Sequence, residues 1–180
     1  MMYLGLAPPH PKGPTAESTS DRDPTAPAQW IAGWYYGVEG EDKRDYILGC
    51  YKADDDLTIT LYDAMEAYIG GDEATGEQKM KDARPMYQIA LQACDEVNGK
   101  MKEIGDKIYA LPDTPDWDKI SKEIYNDNKA RVDRDVDLML REWKQGVFFN
   151  SGMFTGYVDK IFLDNAPPAP KTAYAHFAPF

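Results

Sequence analysis

Between residues 29 and 164 the apolar side chains recur at steps of three and four, the spacing of one helix face, which predicts an all-α domain. A first helical segment is expected over 29–51, anchored by Trp30, Trp34, Ile47 and Leu48 and divided by Gly37 and Gly40. Asp54-Asp55-Asp56 supplies a second helix start, because carboxylates there accept unpaired N–H groups and suit the helix dipole. Leu57, Leu61, Met65 and Tyr68 continue that helix, and Gly70-Gly71 ends it with residues that tolerate a left-handed cap.

The longest pattern is Tyr87, Ala90, Cys94, Val97, Met101, Ile104, Ile108 and Leu111, which alternates three and four like the seam of a coiled coil. It predicts one long third helix with Pro85 near its start; Gly99 and Gly105 fall off the seam and weaken it. Thr114 reads as the N-cap and Pro115 as the first residue of a fourth helix reaching about Lys144. Its apolar face is Trp117, Ile120 and Ile124, then Val132, Val136, Met139 and Trp143, with a polar turn at 126–129 shifting the register between them. A fifth helix is expected over 150–163. Short links between long helices favour an antiparallel bundle of four to five, with 72–144 as two long helices joined near Pro112 and Pro115.

Outside that core the pattern stops. Ten of the thirteen prolines fall within 1–28 and 165–180, so the chain divides into an extended Pro-rich arm (1–28), a helical bundle (29–164) and an extended Pro/aromatic tail (165–180). Tyr3, Leu4 and Leu6 at one end, and Tyr174, Phe177 and Phe180 at the other, are expected to be partner-binding anchors, because proline lowers the entropy lost on docking.

With 43% apolar residues the chain can build one core. Its net charge of −11 argues against nucleic acid and against direct docking on anionic lipid. No run approaches the length of a membrane span, and Met1 to Leu6 is too short and uncharged to read as a signal peptide.

The two cysteines, Cys50 and Cys94, are either free core thiols or one disulfide, and the bonded form is expected. Closing a loop of about 45 residues would stabilise by roughly 3–4 kcal/mol and would imply an oxidising compartment. A catalytic cysteine is not expected, since His10 and His176, the only histidines, lie in the arms.

Acidic groups such as Asp54-Asp55-Asp56, Glu39/Glu41/Asp42 and Asp133/Asp135/Asp137 sit beside Lys43, Arg44, Arg131 and Arg134, and read as solvated faces. Calcium-loop, di-metal and phosphate-loop spacings are not found, so no metal, cofactor or catalytic residue is expected. Gly146, Gly152 and Gly156 read as a cap followed by close helix–helix contact. Trp30, Trp34, Tyr35 and Tyr36 read as a core layer, with a ligand lining as the sharper alternative.

One set of residues carries a resemblance. It comprises Tyr35-Tyr36-Gly37-Val38-Glu39, Ile47-Leu48-Gly49-Cys50, Ala64-Met65, Gly70-Gly71-Asp72, Ala90-Leu91-Gln92-Ala93-Cys94, and Gly146-Val147-Phe148-Phe149-Asn150-Ser151-Gly152 with Gly156. This resembles small helical two-cysteine proteins of protists, some of them lineage-specific accessory subunits of mitochondrial respiratory complexes. The resemblance spans 34–163; the chain lacks the twin Cys-x3-Cys or Cys-x9-Cys import signatures. It implies a peripheral mitochondrial protein on the intermembrane-space side, with another oxidising compartment as the alternative. The resulting expectation is a soluble, non-catalytic accessory subunit attached through its arms to other subunits of a large complex. The alternative is a lipid-like small-molecule carrier or an inhibitor-type bundle.

Overall fold

The computed structural model describes residues 22–167. Among them are seven α-helices and no strand: α1 (Ala26–Glu39), α2 (Arg44–Cys50), α3 (Asp55–Ile69), α4 (Glu73–Ala90), α5 (Asp95–Ala110), α6 (Trp117–Lys144) and α7 (Phe148–Asn165). The all-α class is as the periodicity predicts, but the helices are more numerous than four or five.

Local chemistry explains most of the boundaries. Asp54 caps α3 by accepting from the Leu57 N–H at 2.9 Å, and Asp72 caps α4 by accepting from the Thr75 N–H at 3.1 Å. Gly40, in the left-handed conformation (φ 81°), ends α1 and separates it from α2. Gly37 does not divide the segment; it lies inside α1. The α1 helix starts at Ala26, and Ala26, Pro27 and Ala28 are buried.

The predicted single helix along the long seam is instead two. The chain turns between Leu91 and Cys94, where the Cys94 N–H donates to the Leu91 carbonyl at 2.8 Å. Cys94 then takes the N-cap position of α5, with Asp95 and Glu96 in the first turn. The spacing survives the corner because residues on both sides of it, from Tyr87 and Ala90 to Ile104 and Ile108, bury into one core. Pro85 lies within α4 and not near a helix start. Hence 72–144 is three α-helices, linked between α5 and α6 by a 3-10 turn at Leu111–Asp113.

Thr114 does not cap α6 either. It closes the 3-10 turn, and Asp116, in the left-handed region (φ 59°), occupies the N-cap. The polar stretch at 126–129 stays helical, held by the Asn128 amide donating to the Ile124 carbonyl and by the Lys129–Asp133 pair. Gly146 (φ 73°) lets α6 turn into α7.

The tightest packing joins α1 to α7. A methyl group added at Gly33 would sit 1.9 Å from the Phe149 carbonyl oxygen, and one at Gly152 the same distance from the Trp30 carbonyl oxygen. One turn on, Gly37 and Gly156 meet so closely that a methyl on Gly156 would lie 2.9 Å from the Gly37 Cα. Only hydrogen fits at these crossings. Elsewhere large rings fill the core: Trp143 lies edge-on to Phe148 and Tyr62, with centroids 4.9 and 5.0 Å away, where α6, α7 and α3 meet.

Candidate functional site

The disulfide joins Cys50, at the end of α2, to Cys94, before α5, with Cα atoms 5.3 Å apart. Around it the Lys52 N–H donates to the Ala90 carbonyl at 2.9 Å and Lys43 pairs with Glu96 at 3.2 Å. These contacts fix the corner from which α4 and α5 diverge. The other residues expected to act, Tyr3, Leu4, Leu6, Tyr174, Phe177 and Phe180, lie outside the described residues.

Beyond that corner α1, α4 and α5 enclose a half-open cleft. One wall is Trp30, Ile31 and Trp34 of α1; Met80 and Tyr87 of α4 and Met101 and Ile108 of α5 form the others. The cavity holds about 90 Å³ and its lining is mainly apolar. Trp30 and Tyr87 stack with centroids 6.1 Å apart, and the Tyr87 hydroxyl donates to the Pro27 carbonyl at 3.2 Å. Rings of this size cannot interdigitate as the glycines do, so α4 stands off from α1.

Charged groups divide between mouth and floor. At the mouth Asp106 takes both Arg84 and, at 3.4 Å, Lys102, while the Arg84 guanidinium covers the Tyr109 ring 4.2 Å from its centroid. On the floor is Asp159 of α7, buried at 5% exposure. Its Oδ2 accepts from the Trp34 indole N–H at 2.9 Å. The other buried carboxylate, Asp135, has the Arg134 guanidinium 2.7 Å from its Oδ1 and the Arg131 guanidinium 3.9 Å from its Oδ2, and among the described residues that Oδ2 has no hydrogen-bond partner.

The burial of Asp159 has electrostatic consequences. Burial pushes the Asp159 carboxyl above the ordinary carboxylate range, and the positive charge of the chain's N-terminus and then the Trp34 N–H offset only part of this. Burial also pushes the Tyr109 hydroxyl up to about 12; Arg84 opposes that rise and the charge of Asp159 adds to it. The Tyr68 hydroxyl is raised as well, chiefly by burial, with Glu77 and Asp159 contributing.

Asp159 was not among the expected site residues. Its signal lay in helical phase: 152, 156 and 159 share one face of α7, the face that meets α1. Trp30 and Trp34 are buried in the core, as the core-layer reading expects, and they also line the cleft.

No family model matches the chain, and neither does any curated protein or solved structure. Among the described residues no cluster of three or more His, Cys, Asp or Glu could hold a metal ion, and no helix is long and apolar enough to cross a membrane. The disulfide is compatible with an oxidising compartment.

Proposed function

We propose that the chain is a small-molecule-binding helical bundle that works by holding a ligand and not by transforming it. The observation that supports this reading is the cleft itself, a half-open apolar cavity walled by Trp30, Trp34 and Tyr87, with a few polar groups at its mouth and floor. Its size narrows the earlier idea of a lipid-like cargo. Sites that bury a drug-sized molecule span about 300–1,000 Å³, whereas this cavity holds about 90 Å³. It therefore accepts one small apolar group, with the rest of the ligand in the mouth.

Binding should change the fluorescence of Trp30 and Trp34. Gly105 lines the cleft, and a side chain there would point toward Arg84, so Gly105→Leu should block entry. A small aromatic probe that quenches the wild type but leaves Gly105→Leu unchanged would support the reading. Equal response of both proteins would sink it.

A second reading is the non-catalytic accessory subunit, peripheral in a large mitochondrial membrane complex. Favouring it, Leu48 and Ile89 are exposed at 41% and 67%, each within five residues of a bridged cysteine. Apolar surface of that kind suits contact with another protein. Co-migration with a large assembly in native electrophoresis tests it; migration of the endogenous protein as a free monomer would refute it.

A further inference from the structure

We propose that the cleft recognises a small uncharged aromatic molecule bearing a carbonyl-type hydrogen-bond acceptor, and that the Trp30 indole N–H is the donor that binds this acceptor. The inference rests on the small-molecule reading above and specifies the chemistry of the ligand.

Trp30 lines the cleft at 3% exposure, and its Nε1 is buried without a hydrogen-bond partner. The polar groups on the neighbouring rings are engaged. The Trp34 N–H donates to Asp159, the Tyr87 hydroxyl to the Pro27 carbonyl and the Tyr109 hydroxyl, at 3.4 Å, to the Met80 carbonyl. Buried donors are ordinarily paired, because one left unpaired forfeits its hydration with nothing in return. At Trp30 neither the protein nor solvent serves the N–H. An acceptor carried into the cleft by a ligand serves it once the indole tilts toward the cavity. Trp117 also has an unpartnered N–H, but it stands at the start of α6 and does not line the cleft.

The charged groups select against an ionised ligand. Moving a charge from water into an apolar cavity is costly unless a counter-charge meets it. Here the charged side chains are already engaged, Arg84 and Lys102 with Asp106 at the mouth and Asp159 with Trp34 on the floor. An ionised ligand has to break one of these contacts to find a partner. An uncharged ring breaks none, and the faces of Trp30, Trp34 and Tyr87 suit it.

Three probes on related skeletons test the proposal. Acetophenone and α-methylstyrene differ only in C=O against C=CH2, and benzoate adds a charge to the same ring. The full chain, labelled with heavy nitrogen at tryptophan, gives four indole signals in a proton–nitrogen spectrum. Acetophenone should move the Trp30 indole proton downfield and α-methylstyrene should not, while the Trp117 signal stays in place with both. In calorimetric titrations the preference for acetophenone over α-methylstyrene should fall about fivefold or more in Trp30→Phe. Comparing that ratio between the two proteins cancels the different hydration of the probes. Benzoate should bind about tenfold or more weakly than acetophenone. A Trp30 signal that responds alike to ketone and alkene would overturn the proposal while the cleft reading stood. This comparison uses the wild type, whose signals are assigned through its backbone, so it holds even if Trp30→Phe misfolds. Benzoate binding best would overturn it in favour of an anion held at the mouth. If none of the three binds, the cleft reading and the acceptor proposal fall together.

Discussion

Along α1, the side that carries Gly33 and Gly37 lies on α7 with backbone against backbone, whereas the side that carries Trp30, Ile31 and Trp34 leaves a cavity against α4 and α5. The same fourteen-residue helix thus makes both the densest and one of the loosest contacts in the fold. Residue size decides which: hydrogens on both helices permit contact at the carbonyl oxygens, and indole and phenol rings hold helices apart. A polar consequence follows. The close crossing brings Trp34 and Asp159 within hydrogen-bond distance, and both residues also line the cavity on the open side.

The loose side depends on the disulfide that holds its corner. Replacing Cys50 and Cys94 by alanine should cost about 3–4 kcal/mol in chain entropy, across a sequence separation of 44. Denaturant titration of the double variant measures that loss, and hydrogen exchange locates it. Protection should fall first in α2 and the start of α5, with the α1–α7 contact retained. Earlier opening of α1 and α7 would show that the two sides are not independently held.

The tight side fails differently. Gly33→Ala or Gly152→Ala pushes a methyl group into a backbone carbonyl, which no rotamer change relieves, and either should destabilise by about 3 kcal/mol. The two together should cost less than their sum, because the first already separates the helices. Strict additivity by urea titration would mean that each glycine acts locally.

Sequence pattern reached these two sides unequally. Periodicity located α3 and most of α6, and the Asp54 cap was legible because its chemistry is local. The Leu91–Cys94 corner was not legible, since burial on both sides of it preserves the three–four spacing. Gly152 and Gly156 read as a close contact, but their partners on α1 did not. Gly37 has the composition of a divider, and what it does depends on a helix more than a hundred residues away. Asp159 is one acid among 31, distinguished only by what packs around it.

Acid–base behaviour sharpens the comparison at the point where the two sides meet. The folded-state pKa of Asp159 is raised above its ordinary 3.8, so above that value the native state retains a proton that the unfolded chain has released. The contribution of Asp159 to stability therefore falls as pH rises from 3.8 through the folded pKa, and levels off beyond it. Burial raises the Tyr68 and Tyr109 hydroxyls, so both stay protonated over that window. Asp159→Asn should match the wild type at acid pH and become the more stable protein toward neutrality. A stability difference that does not change with pH would show that the carboxyl is not held against its ionisation.

The smallest expected effect has the opposite sign and is the cleanest control. Gly99 lies inside α5, and a methyl group there would meet nothing within 4 Å; at Gly105 the nearest atoms, in the Arg84 side chain, would be 3.8 Å away. Neither glycine has a left-handed backbone. Alanine at either position keeps the helix and removes conformational freedom from the unfolded chain, which should stabilise by about 0.5–1 kcal/mol. The substitution is chemically identical to Gly33→Ala, so the helix-propensity gain is common to both and only the surroundings differ. Gly99→Ala should raise the urea midpoint and Gly33→Ala should lower it. If both lower it, α5 is strained for a reason its contacts do not reveal; if both raise it, the α1–α7 crossing has room for a methyl group and the contrast between the two sides of α1 is lost.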